Sequence, residues 1–134
     1  MDEKNKVIII IRRRDEDYLK TIYKIARTKK NGGVSNSEIS SCLNVKPSSI
    51  TSILYKLKEK GLIIWNSRKL VKITKEGKDL AEYLFNNFNI LKLFFLKILK
   101  FKDSKKIDEI CCKLEHFFDP ITISAFIQFV LNYK

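Results

Sequence analysis

Residues 35–61 read SNSEISSCLNVKPSSITSILYKLKEKG, and two helix starts stand close together in them. The first is Ser35 followed three positions later by Glu38, a pattern in which a hydroxyl and a carboxylate each satisfy a free backbone amide. It predicts a helix running to Leu43. Asn44, Val45 and Lys46 make a short turn, and Pro47 follows where proline belongs, at the first position of the next helix. From Pro47 to Lys60, Ile50, Ile53, Leu54 and Leu57 recur at helical spacing and face inward, and Gly61 closes the element. The outward face begins Ser48, Ser49, Ser52, Lys56. Helix, short turn, helix with a small polar leading end is the helix-turn-helix arrangement, whose second helix enters a DNA major groove. An ordinary helical hairpin shares the pattern, so the flanking sequence has to decide.

Downstream, LIIW (62–65) and LVKI (70–73) are short apolar runs around the polar loop NSRK (66–69), which predicts a β-hairpin. Directly after a recognition helix this is the wing of a winged helix, with Arg68 and Lys69 at its tip to reach phosphate or the minor groove. Thr74 can cap a further helix, although Gly77 sits in its first turn. Upstream, DEDYLKTIYKIARTKK (15–30) places Leu19, Ile22, Tyr23 and Ala26 at helical spacing, with acids first and cations last, and NGG (31–33) ends that helix. KNKVIIIIRRR (4–14) reads as a strand, an ordered arm or a surplus extension.

The charge is unevenly spread. Lysines and arginines number 27 against 15 acids, a formal +12; residues 1–75 hold 18 against 7, and residues 76–134 hold 9 against 8. An anionic partner touching the first half is the natural reading, and nucleic acid is the commonest one, since each phosphate contact releases counterions. A solubilising lysine-rich surface is the plainer alternative. No stretch approaches the ~20 apolar residues that span a bilayer, and the run Val7 to Ile11 precedes its arginines, the reverse of a signal peptide. A soluble cytoplasmic protein is expected, with its three cysteines, two of them adjacent, kept as thiols.

The second half is strongly apolar. From Leu80 to Leu99, Leu84, Phe85, Phe88, Leu91, Phe94, Phe95 and Ile98 exceed what one helix face in a small monomer hides, which predicts dimerisation through this half. FKDSK (101–105) is a break with Asp103 or Ser104 as cap, a helix follows to about Phe118, and Asp119-Pro120 starts a last helix ending near Asn132. The fold class is thus mainly α. Its expected organisation is an N-terminal extension (1–14), a winged helix-turn-helix DNA-binding domain (15–75) and a helical dimerisation domain (76–134).

CCKLEH (111–116) holds the sole histidine. On a helix Glu115 lies at about −60° and His116 at about +40° from Cys112, so thiolate, carboxylate and imidazole share a sector about 100° wide. Three such groups could bind one metal ion with a fourth ligand from elsewhere. Equally, a buried cysteine packs as a small hydrophobe, glutamate is usually solvated and a lone histidine is usually packed.

EDYLKTIY (16–23), a winged helix and C-x-x-E-H at 112–116, in that order, resemble the metal-dependent repressors of the diphtheria-toxin-repressor and manganese-transport-regulator family over about residues 15–132. The resemblance implies that residues 76–134 are a helical metal-binding and dimerisation domain, in a dimeric repressor whose DNA binding is switched on by a divalent metal. It implies Asp17 as a ligand on the first helix, Cys112 at a position that is cysteine in iron-responsive and glutamate in manganese-responsive members, and Glu115 and His116 as direct matches. Such a metal would tie the first helix to the dimer core and set the spacing of two recognition helices. Departures limit it: Asn89 and Asp108 replace histidines, Leu93 replaces a glutamate of iron members, and Lys20 stands where manganese members carry a glutamate ligand. A second metal site is therefore expected to be absent or altered, and a binuclear manganese site excluded. The SH3-like third domain of longer iron repressors is not expected in this chain.

A thiolate beside Asp, Glu and His favours Fe(II), and accepts Co(II), Ni(II) or Zn(II), over Mn(II). On the DNA side, Ser48, Ser49 and Ser52 are expected at base edges of an inverted repeat and Thr51, Lys56, Arg68 and Lys69 at the backbone, with DNA shape adding specificity. A winged-helix regulator that has lost its metal is the alternative. An enzyme using Cys112 and His116 lacks an orienting partner, a glycine-rich loop and an oxyanion feature.

Overall fold

The computed structural model describes residues 13–134 apart from residue 67, so the expected strand or arm at residues 4–14 falls almost wholly outside the described residues. The described chain forms two compact units that divide between Glu82 and Tyr83.

The first unit begins with α1, Arg13–Ala26, whose Leu19, Ile22 and Tyr23 are buried. The helix stops short of Lys30: residues 27–31 form tight turns, with Thr28 and Lys29 amides bonded to Ile25 and Ala26 carbonyls, and Gly32 at φ +69 completes the exit. Next, α2 (Asn36–Leu43) starts on the expected capping box, Ser35 Oγ accepting from the Glu38 amide at 3.1 Å while Glu38 Oε1 accepts from the Ser35 amide at 3.2 Å. Asn44, in the left-handed conformation at φ 53, ends α2, and Pro47 opens α3 (Pro47–Glu59). Ile50, Ile53, Leu54 and Leu57 of α3 are buried, each contributing about 1.5–3 kcal/mol of apolar burial. Helix α1 packs on both α2 and α3, which holds α3 with its polar side outward.

Gly61 at φ +74 reverses the chain into β1 (Ile63–Ile64), which pairs antiparallel with β2 (Lys72–Ile73) in the register Ile63–Ile73, Ile64–Lys72. Val34 and Val71 exchange both backbone hydrogen bonds, at 2.9 and 2.7 Å, and so stitch the hairpin to the residues entering α2. Thr74 caps α4 (Lys75–Leu93), its Oγ1 accepting from the Gly77 amide at 3.1 Å. Gly77 is there because a Cβ would collide with the Leu62 carbonyl, so close packing, not turn formation, accounts for a glycine inside a first helical turn.

In the second unit α4 passes into a widened π-helical turn, Phe94–Ile98, closed by the Leu99 amide on the Phe94 carbonyl at 3.1 Å. Lys100 at φ 56 ends it. Asp103 caps α5 (Ser104–Leu114) and Asp119 caps α6 (Pro120–Asn132), their carboxylates accepting from the Lys106 and Thr122 amides at 3.1 and 2.6 Å. Helix α5 ends at Leu114 and not near Phe118, because the Phe117 amide bonds the Leu114 carbonyl and tightens the last turn before the Asp119 cap. Ile90, Leu91, Ile107, Cys111, Ile123 and Val130 form the core, ringed by Phe94, Phe118 and Phe126 in edge-on contacts.

Candidate nucleic-acid interface and metal ligands

On α3 the outward residues follow from the inward ones. With Ile50, Ile53, Leu54 and Leu57 fixed inside, Ser48, Thr51, Ser52 and Lys56 are exposed and Ser49 is half-buried. Lys46, which precedes the helix, is exposed as well. Hairpin alternation does the same for the wing: Ile63, Trp65 and Val71 face in, while Ile64, Leu70 and Lys72 face out with Arg68 and Lys69 exposed at the tip. The Lys69 amide bonds the Asn66 carbonyl at 2.9 Å, and Arg68 takes φ 70, a left-handed conformation that non-glycine residues enter at a cost of about 1–2 kcal/mol. Recognition helix and wing are joined by Tyr55 and Trp65, whose rings meet edge-on at 5.0 Å. Tyr55 was not among the residues singled out from the sequence; its place seven positions after Ser48, on the same helical line, is the signal that would have found it.

The six residues CCKLEH separate into different environments. Cys111 is fully buried in the core of the second unit, and burial, then the nearby Asp108 and Glu115 carboxylates, push its thiol up to about 11 against a smaller opposing effect of Lys92. It stays a neutral thiol at physiological pH. Cys112 points outward and is exposed, with its Sγ and a Glu115 carboxylate oxygen within 4.8 Å of each other. Glu115 is the residue just past α5, still in helical conformation, and is only 1% exposed. His116 stands in the turn that follows, its side chain 2% exposed and its Nε2 3.3 Å from Glu115 Oε1. A buried carboxylate that is ionised is stabilised by a nearby cation, since an isolated ionised carboxylate out of water costs several kcal/mol. Cys112 and Glu115 stand close enough to share a divalent transition metal and His116 adjoins Glu115, but the ligand atoms of these three residues do not all lie within 4.8 Å of one another.

Asp17 lies in the first unit, half-buried on α1, where its carbonyl accepts from Thr21 Oγ1 at 2.9 Å; Lys20, one turn on, is half-buried too. Tyr23 Oη donates to Glu82 Oε1 at 3.0 Å and so links α1 to α4 within that unit. Of the positions that depart from the resemblance, Asn89 and Leu93 are exposed, and Asp108 pairs with Lys92 Nζ at 2.9 Å.

Comparison with known proteins settles the family. Residues 11–71 match the model of the iron dependent repressor N-terminal DNA binding domain. A helix-turn-helix transcriptional regulator of Methanocaldococcus jannaschii is 31% identical over 119 residues, 89% of this chain and 94% of that one. The chain belongs to the diphtheria-toxin-repressor and manganese-transport-regulator family. This is a family of metal-dependent transcriptional regulators, as the resemblance implied. Among solved structures of the family, the manganese regulator SloR is similar with a TM-score of 0.72 at 27% identity, and ScaR with bound Zn2+ with 0.74 at 26%. Each similarity covers 90% of this chain and 54% of the other, so the chain spans about half the length of those two regulators. The mainly α fold, a winged helix-turn-helix followed by a helical unit, is the fold of the family. No helix of the described residues is long and apolar enough to cross a membrane.

Proposed function

We propose that the chain is a cytoplasmic, homodimeric, metal-activated transcriptional repressor and not an enzyme. The observation that carries the reading is the neighbourhood of Glu115: a buried carboxylate with the His116 imidazole at 3.3 Å and the Cys112 thiol within 4.8 Å, in a chain whose other unit presents a basic winged helix. Asp17, Cys112, Glu115 and His116 would hold the ion. When bound, the metal supplies positive charge and a fixed coordination geometry, which would tie α1 to the second unit and set the separation of two recognition helices on an inverted repeat.

Fe(II) is the effector this donor set supports best, because a thiolate among oxygen and nitrogen ligands disfavours Mn(II); Co(II), Ni(II) and Zn(II) fit the same set. No second metal site is proposed, since Asn89 and Leu93 are poor ligands and Asp108 already has an ammonium partner. Homodimerisation is supported by apolar residues left open in the second unit, among them Phe117 at 72% and Ile121 at 77% exposure.

Anaerobic titration with Co(II), a spectroscopic stand-in for Fe(II), tests the ligand set. Wild type should develop near-ultraviolet thiolate-to-cobalt charge-transfer absorption that Cys112→Ser lacks and Cys111→Ser keeps. Absence of that absorption from wild type would remove Cys112 from the site.

A further inference from the structure

At 100° per residue along α3, Ser52 lies about 40° to one side of Ser48 and Tyr55 about 20° to the other. Tyr55 therefore continues the line of the serines. It is the one aromatic residue of α3 and is 49% exposed. Its ring is braced: Trp65, 4% exposed, meets it edge-on with planes at 69°. A phenol ring with two side-chain torsions, one flank already held, gives up little conformational freedom when its other flank is covered. The surroundings are cationic, with exposed Lys56 beside it on the helix and exposed Arg68, Lys69 and Lys72 on the hairpin that carries Trp65. Glu59, the next residue along the same line, is the first acid of the helix and marks where a phosphate-facing surface stops.

Serine hydroxyls both donate and accept, so Ser48, Ser49 and Ser52 discriminate weakly among bases. A planar apolar ring discriminates differently, by contact with the methyl group that thymine alone presents in the major groove. We propose that Tyr55 is a specificity-determining residue of the DNA-binding face, its ring packing against a thymine methyl in each half-site. The inference rests on the DNA-binding reading above and adds to it the base that is read and the residue that reads it.

The test is selection from a randomised duplex library by the metal-loaded full chain, with sequencing of the bound pool, for wild type, Tyr55→Ala and Tyr55→Phe. Wild type should enrich a thymine at one position per half-site. Tyr55→Ala should lose that preference alone, keeping the others and its helical circular dichroism, and Tyr55→Phe should retain it. In the selected duplex, uracil at that position should weaken wild type about fivefold and leave Tyr55→Ala unchanged. An unaltered pool with Tyr55→Ala, or loss of the preference in Tyr55→Phe as complete as in Tyr55→Ala, would overturn the ring contact. Enrichment of no sequence by wild type would instead overturn the DNA-binding reading and the inference with it.

Discussion

The two adjacent cysteines divide the work of their stretch by one step of helical rotation. Cys111 is core and Cys112 is surface, so their replacement should have opposite consequences. Cys111→Ser places a hydroxyl in an apolar pocket and should lower stability by about 1–3 kcal/mol in urea unfolding with the metal response intact. Cys112→Ser should leave the unfolding midpoint unchanged and weaken metal binding about tenfold or more. The raised Cys111 thiol also sets a pH dependence. Its folded value of about 11 exceeds the ordinary 9.0, so its contribution is fully present below pH 9 and is lost as pH rises through 9 to 11. Cys111→Ala should flatten that part of the stability profile relative to wild type; an unchanged slope would assign it to other groups. None of this division is legible in the letters CC, because a helix face is decided by what packs on it. Asp17 was named as a ligand only through the resemblance, since residues so far apart in sequence share no periodicity.

Among elements, the starts read well from sequence and the stops read poorly. Ser35, Thr74, Asp103 and Asp119 all begin helices where they were expected to, because a cap is a local hydrogen bond between neighbours in the chain, and Pro47 does so without a side-chain cap, its ring presetting the helical φ. The ends of α1 and α5 fall earlier than the charge and apolar patterns suggest, since tight turns and the next cap compete for the same residues. Gly77 looked like a helix breaker and is in fact a packing requirement at the root of the wing. Gly77→Ala should therefore cost more than the gain in helix propensity returns, about 1–3 kcal/mol in thermal unfolding; a stabilised variant would contradict the close approach to Leu62. At the wing tip Arg68→Ala and Lys69→Ala should weaken DNA binding equally on all sequences. Each should reduce the slope of log affinity against log salt by about one per contact removed.

Across the chain, the charge asymmetry of residues 1–75 and 76–134, +11 against +1, and the exposed apolar residues of the second unit support the proposed division of partners. DNA would meet the first and a second copy of the chain the second. Ile121→Asp, which puts a charge on that apolar surface, should yield monomers in sedimentation equilibrium and lose the cooperative reading of an inverted repeat. On the proposed reading, metal held by Asp17, Cys112, Glu115 and His116 would govern DNA affinity. It is tested most directly by fluorescence anisotropy on a selected operator duplex at fixed moderate salt, first with chelator and then with anaerobic Fe(II), for wild type and His116→Ala. Fe(II) should tighten binding about tenfold or more in wild type and little in His116→Ala. Equal affinity with chelator and with Fe(II) in wild type would contradict it and return CCKLEH to core packing.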